Sequence, residues 1–170
     1  MSPPAAHAAV FLLPGFQELE FWYPVLRFRE EKVPVSVVGT DPERTVFSRL
    51  GYPVVADATL DQMPQDATVV VVPGSDPVEP PFRMRMLEAL KSARSRGAFV
   101  AGSGSGVRLL AEAGLLRGAQ VAAPGDLAGL LHDHGASVSG RAVSIDRGVV
   151  TARGVDDLPQ FFQALLQAIQ

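Results

Sequence analysis

The chain has 170 residues, a formal net charge of −3 and no cysteine. This charge balance offers no basic surface for nucleic acid or anionic membranes, and no apolar run reaches the roughly 18 residues that a membrane-spanning helix needs. Without cysteine the chain forms no disulfide, thiolate metal site or thiol nucleophile. Residues 1–9 also lack the basic and apolar regions of a secretory signal. We therefore expect one cytoplasmic domain over residues 1–170.

Apolar runs alternate with helical periodicities along the whole chain. The predicted strands are residues 8–13, 33–38, 46–47, 52–55, 68–72, 99–101, 120–123, 142–145 and 149–152. The predicted helices are residues 16–31, 82–96, 107 to a stop at Gly114 or Gly118, 126–131 and 158–169. The Asp146-Arg147-Gly148 turn favours an antiparallel hairpin between two of the strands. This alternation predicts a three-layer α/β/α sandwich around a mainly parallel sheet.

The first predicted helix has an apolar stripe at i, i+3, i+4 and i+7. Leu19, Trp22, Tyr23 and Leu26 form this stripe, and we expect it to face the sheet. Pro24 lies within the pattern and should kink the helix or mark a late start. The aromatic residues of this region are expected to be mostly core.

A glycine-rich turn follows the strand that begins at Phe99. The turn spans Gly102 to Gly106 and leads into a helix, which in an open α/β sheet is where ligands and nucleophiles sit. It does not match the G-x-S-x-G elbow of serine hydrolases, a phosphate-binding P-loop or a dinucleotide fingerprint. Two interpretations stay open. The successive amides bind an anion, with Arg108 able to add charge, or the glycines serve only tight packing.

Five segments, in this order, carry a resemblance to a known family. They are residues 13–24 (LPGFQELEFWYP), 70–75 (VVVPGS), 110–118 (LAEAGLLRG), 124–125 (PG) and 150–154 (VTARG). Together they resemble the ThiJ/PfpI superfamily of the class I glutamine amidotransferase-like folds, which includes deglycases, PfpI-type proteases and isocyanide hydratases. The resemblance runs nearly end to end. It implies a flavodoxin-like fold, a homodimer and a role in stress response.

The resemblance also implies which residues occupy the family's reactive site. Gly104 stands at the position of the nucleophilic cysteine, followed by Ser105 and Gly106 in place of His/Thr and Gly. Glu20 takes the place of the supporting acid, and Gly74 and Ser75 that of the oxyanion amides. The nucleophile is therefore missing. Ala122 and Ala123 also offer no polar group where some members carry one.

Our leading hypothesis is a catalytically degenerate family member that has lost the thiol chemistry. It binds a small molecule, for example an anion, or a partner. The binding site is expected at Gly74, Ser75, Gly102, Ser103, Gly104, Ser105 and Gly106. The alternative is a hydrolase or lyase of the amidase, glyoxalase, deglycase or isocyanide hydratase type, with Glu20 and a water or Ser105 as catalytic groups. A third hypothesis is a purely structural turn without a pocket.

No cofactor or metal is expected. His132 and His134 are two residues apart, so they do not share a helix face as zinc ligands would.

Overall fold

The computed structural model describes residues 6–39 and 45–170. In these ranges the strands are β1 (Ala8–Leu12), β2 (Val35–Gly39), β3 (Thr45–Phe47), β4 (Pro53–Val55), β5 (Ala58–Thr59), β6 (Val69–Val72), β7 (Phe99–Ser103), β8 (Gln120–Val121), β9 (Ser137–Val138), β10 (Val143–Asp146) and β11 (Val149–Ala152). The helices are α1 (Glu18–Glu30), α2 (Phe82–Ser95), α3 (Val107–Glu112), α4 (Ala128–Asp133) and α5 (Leu158–Ile169). Short 3₁₀ turns lead into α3, α4 and α5.

A seven-stranded sheet with the order β10-β11-β7-β6-β1-β2-β5 forms the centre of the molecule. All its pairs are parallel except β10 with β11, which form the antiparallel hairpin that the Asp146-Arg147-Gly148 turn predicted. β6, the run of four valines, is buried along its whole length between β1 and β7. The predicted α/β architecture is confirmed.

The helices cover both faces of the sheet. α1 and α5 pack on one face through side chains such as Phe28 and Phe161, and α2, α3 and α4 pack on the other through side chains such as Leu90 and Leu110. The two faces of each parallel strand are therefore buried, as continuous apolar strands require. No helix in the described part of the chain is long and apolar enough to cross a bilayer.

The buried stripe of α1 differs from the predicted one. Phe21, Pro24, Val25 and Phe28 face the sheet, whereas Leu19 and Leu26 are 53% and 55% exposed. The prediction failed because α1 carries two adjacent apolar stripes, and helical spacing alone does not choose between them. The helix also runs through Pro24, which therefore does not mark its start.

Several short elements also depart from the sequence pattern. The helix after the glycine-rich turn ends at Glu112, before Gly114 in the left-handed region (φ +73°), so Leu115 lies outside it. Residues 120–123 contribute only the two-residue β8, which pairs with β9 in a separate small sheet. β5 and β9 were not predicted, because two-residue strands have no periodicity and depend on distant partners.

Candidate functional site

The glycine-rich turn lies at the carboxyl end of β7. Gly106 is buried so closely against the ends of neighbouring strands that a Cβ would collide with the carbonyl oxygen of Val72. A Cβ on Gly102 would lie 3.0 Å from Leu110 Cδ1 and 3.2 Å from the Val107 nitrogen. These two glycines therefore allow α3 to pack closely on the sheet.

Gly104 is different, because a side chain at this position would meet a functional group. Its φ is +53°, in the left-handed region, and a Cβ there would lie 2.5 Å from Glu20 Oε1 and 2.9 Å from Glu20 Oε2. The Glu20 carboxyl group thus occupies the space into which a residue-104 side chain would project. A reactive side chain fits there only if Glu20 moves.

Glu20 is fixed by three hydrogen-bonding groups. The Gly74 N–H donates to Glu20 Oε2 at 2.6 Å, and the Ser103 hydroxyl donates to the same oxygen at 3.2 Å. Gln17 caps α1 by accepting from the Glu20 N–H at 2.8 Å, while its own N–H donates to the Gly74 carbonyl at 2.8 Å. The start of α1 is therefore joined to the loop after β6, and the carboxyl group is held against the turn.

Burial dominates the electrostatics of Glu20. The residue is 4% exposed, and desolvation raises the pKa of its carboxyl group. Hydrogen bonds from Gly74 and Ser103 and the charge of Arg49 act in the opposite direction and lower this pKa in part. Oε1 takes no part in these hydrogen bonds and faces Gly104, so it is the oxygen able to exchange a proton.

Both backbone amides proposed for an oxyanion site already donate to side chains. The Gly74 N–H donates to Glu20, and the Ser75 N–H donates to Ser105 Oγ at 3.1 Å. The Ser105 hydroxyl donates to the Ser75 carbonyl at 3.3 Å. A ligand at the Ser75 amide would first displace the Ser105 side chain, and a ligand at the Gly74 amide would first displace the Glu20 carboxyl group.

No histidine is placed to activate Ser105. His7 lies at the opposite end of the sheet, where its ring contacts Ser36 Oγ at 3.0 Å and Asp66 at 3.3 Å. His132, at the end of α4, contacts only the neighbouring Asp133, at 3.8 Å. A serine hydroxyl needs an adjacent base to act as a nucleophile, and Ser105 has no such base among its contacts.

A cavity of about 250 Å³ opens beside the turn. Ser75 and Ser105 belong to its lining, whereas Glu20, Gly74 and Gly104 do not. The remaining lining residues are Asp76, Pro77, Val78, Arg83, Arg108, Leu109, Glu112, Asp126 and Leu127.

Within the described residues, the Arg108 side chain is the cation of this cavity that has no ion-pair or hydrogen-bond partner. Its guanidinium forms no hydrogen bond or ion pair with the described residues, whereas Arg83 Nε lies 4.0 Å from Glu112 Oε2. An uncommitted guanidinium beside two serine hydroxyls can bind a carboxylate or phosphate group. The cavity is therefore equipped for a small anionic group.

The structure brings together most of the residues that the sequence suggested, and it adds others. Glu20, Gly74, Ser103 and Gly104 form one contact cluster, and Ser75 with Ser105 forms the edge of the cavity. The sequence analysis missed Gln17 and the cavity residues Arg83, Glu112 and Asp126. The spacing of Ser105, Arg108 or Leu109, and Glu112 on one helical face was the available signal. In residues 6–39 and 45–170, no three His, Asp or Glu side chains cluster as a metal site.

Comparisons with known proteins identify the family of this chain. The model of the DJ-1/PfpI family matches residues 6–168. An uncharacterised protein of Archaeoglobus fulgidus is 31% identical over 157 residues, which are 91% of this chain and 93% of that protein.

Two solved structures share the fold. Drosophila melanogaster DJ-1beta superposes with a TM-score of 0.86 at 23% identity, over 97% of this chain and 90% of that one. A two-domain protein of Anabaena variabilis, with DJ-1/ThiJ/PfpI-like and ferritin-like domains, gives a TM-score of 0.88 at 23% identity. This chain is covered to 95% in that comparison but spans only 47% of the two-domain protein. The family match over nearly the whole chain makes this protein a member of the DJ-1/PfpI family.

Proposed function

We propose that this protein binds a small metabolite with an anionic group non-covalently in the cavity beside the glycine-rich turn. The observation that carries the proposal is the pairing of two features. Glu20 fills the space where a nucleophile at residue 104 would sit, and the cavity lined by Ser75 and Ser105 has on Arg108 a guanidinium that forms no ion pair with the described residues. A site without a nucleophile but with a free cation is suited to binding and not to covalent turnover.

The lining residues support a ligand that enters from the Ser75 and Ser105 side. Both hydroxyl groups can accept or donate a hydrogen bond. In the structure their hydrogen bonds are formed within the loop after β6 or between this loop and the glycine-rich turn. A carboxylate or phosphate could replace the Ser105 hydroxyl at the Ser75 N–H and reach Arg108. The turn itself contributes shape, because Gly102 and Gly106 are packed against the sheet.

The test combines native mass spectrometry with a matched pair of variants. Protein purified without added ligand is examined for a bound small molecule, and titrations with acetate, lactate, succinate and inorganic phosphate are followed by ligand-observed NMR. We expect binding by wild type and by Arg29→Gln, an exposed arginine of α1 on the other face of the sheet, and loss of binding by Arg108→Gln. Absence of any bound species, or equal binding by Arg108→Gln, contradicts the proposal.

A hydrolase or lyase that uses Glu20 and water is the second candidate. Its support is the buried carboxyl group with a raised pKa and an oxygen that makes no hydrogen bond. A single assay with methylglyoxal distinguishes the two functions. A binding protein leaves this compound unchanged, whereas an enzyme turns it over and loses the activity on Glu20→Gln.

We also propose that the protein forms a homodimer through one apolar face. Leu19 and Leu26 of α1 and Phe47, Leu50, Tyr52 and Val55 of the β3–β4 hairpin are exposed and define this apolar face. Hydrogen bonds from the Arg49 N–H to the Phe16 carbonyl and from the Leu50 N–H to Glu18 join the hairpin to the start of α1. The face carries both an acid, Glu18, and a base, Arg49, which suits pairing with a second copy across a twofold axis.

A further inference from the structure

The cavity beside the turn has five charged side chains, of which two lie close to each other and a third is directed toward another loop. Arg83 and Glu112 lie 4.0 Å apart and offset each other. The carboxyl group of Asp76 lies over Gly15, where a Cβ would collide with it, so it points toward the turn between β1 and α1.

The two remaining charges are opposite in sign. Arg108 lies in the first turn of α3, and Asp126 lies in the 3₁₀ turn before α4. Both line the cavity, yet their side chains form no ion pair with each other, and neither side chain has a hydrogen bond to any described residue. The cavity lining therefore contains a cation and an anion that are not paired with each other.

This arrangement discriminates between classes of ligand. Two arginines and three carboxylates give the lining a net charge of −1, so a purely anionic ligand meets an unfavourable overall field. A ligand that carries both an anionic and a cationic group satisfies Arg108 and Asp126 together. Charge-assisted contacts to both charged groups would also fix its orientation.

Apolar side chains form another part of the cavity lining. Val78, Leu109 and Leu127 are each buried to more than nine-tenths and present hydrocarbon to the cavity. Its volume of about 250 Å³ lies just below the usual range for ligand pockets, roughly 300–1,000 Å³. The occupant is therefore smaller than a nucleotide and has an apolar part.

We infer that the ligand is a small zwitterion of the amino-acid class with an apolar side chain. Its carboxylate binds Arg108 and the Ser105 hydroxyl, its ammonium group binds Asp126, and its side chain packs on Val78 and Leu127. This inference rests on the proposed binding function and adds the chemical class of the ligand.

The experiment compares three probes that share one side chain. L-leucine, N-acetyl-L-leucine and isopentylamine are titrated separately by ligand-observed NMR, and the series is repeated with valine and methionine. For at least one side chain we expect the amino acid to bind best. Loss of either charge should weaken binding about tenfold, as expected for one charge-assisted contact.

A variant and its control locate the ammonium site. In Asp126→Asn we expect the amino acid and its N-acetyl derivative to bind within about twofold of each other, because the carboxylate that distinguishes them is gone. Asp133→Asn, an exposed acid of α4 outside the cavity, should keep the wild-type preference.

The outcomes separate the two proposals. If N-acetyl acids bind as tightly as amino acids, or if the preference persists in Asp126→Asn, the zwitterion inference is overturned while Arg108-dependent anion binding still stands. If no amino acid binds up to about 10 mM, beyond the millimolar range of weak complexes, the inference is also overturned. The proposed function fails separately, when the carboxylate and phosphate titrations show no dependence on Arg108.

Discussion

At the scale of single residues, the Glu20 carboxyl group occupies the space that a side chain at residue 104 would need. We expect Gly104→Ala to lower the free energy of unfolding by about 2–5 kcal/mol, because it combines left-handed strain of roughly 1–2 kcal/mol with a steric conflict of about 1–3 kcal/mol. Urea denaturation measures this loss. Gly114→Ala is the matched control, since Gly114 is also left-handed but has open space around its Cβ position.

The same substitution in a Glu20→Ala variant identifies what causes the loss of stability in Gly104→Ala. In Glu20→Ala, the further change Gly104→Ala should cost no more than it does at Gly114, because the conflicting carboxyl group is absent. An unchanged cost in this background would mean that the clash lies elsewhere. The same geometry bears on Gly104→Cys, which should not become active unless Glu20 is displaced.

Glu20 also makes a pH-dependent contribution to stability. Burial raises the pKa of Glu20 in the folded state above the ordinary value of 4.5, which applies to the unfolded chain. At pH values between the unfolded-state pKa and the folded-state pKa, the folded state therefore binds more protons than the unfolded state. The free energy of unfolding should therefore fall as pH rises through this window. Glu20→Gln removes this effect, so its stability relative to wild type should rise as the pH increases through this window. A pH-independent difference in urea denaturation would contradict the assignment.

At the scale of elements, α1 has two apolar stripes with different roles. Phe28 is fully buried against α5, where its ring centroid lies 4.8 Å from that of Phe162, whereas Leu26 points away from the sheet. We expect Phe28→Ala to lower the free energy of unfolding by about 3–5 kcal/mol, and Leu26→Ser to change that of the monomer by about 0.5 kcal/mol or less. Denaturation at low protein concentration checks both values. Similar losses for the two variants would mean that the helix is rotated.

At the scale of the whole molecule, the outer stripe of α1 and the β3–β4 hairpin supply the proposed dimer face. Phe47→Glu should convert the dimer to a monomer, because it places a charge on an apolar side chain that is 57% exposed in the single chain. Sedimentation analysis measures the change. Met84→Glu is the control, since Met84 is 55% exposed on α2, on the opposite face of the sheet. A dimer that survives Phe47→Glu would show that another surface is used.

The sequence predicted the sheet far better than it predicted the site. Apolar runs such as Val69–Val72 specify buried strands locally, so the alternating α/β architecture followed directly. The contact between Glu20 and Gly104 joins residues far apart in the chain, and no local periodicity encodes it. Its recognition depended on family resemblance. The cavity combines separate segments, and residues such as Asp126 have no pattern of their own.

The position of β1 in the sheet has a consequence for the order in which the chain can fold. β1 pairs with β2 on one side but with β6 on the other, so its second neighbour is synthesised some sixty residues later. During translation the hydrophobic β1–α1–β2 segment must therefore wait, with one strand edge open, until residue 72 has left the ribosome. Such an edge is prone to pairing with other chains, and this period of synthesis is when the protein most needs protection by chaperones.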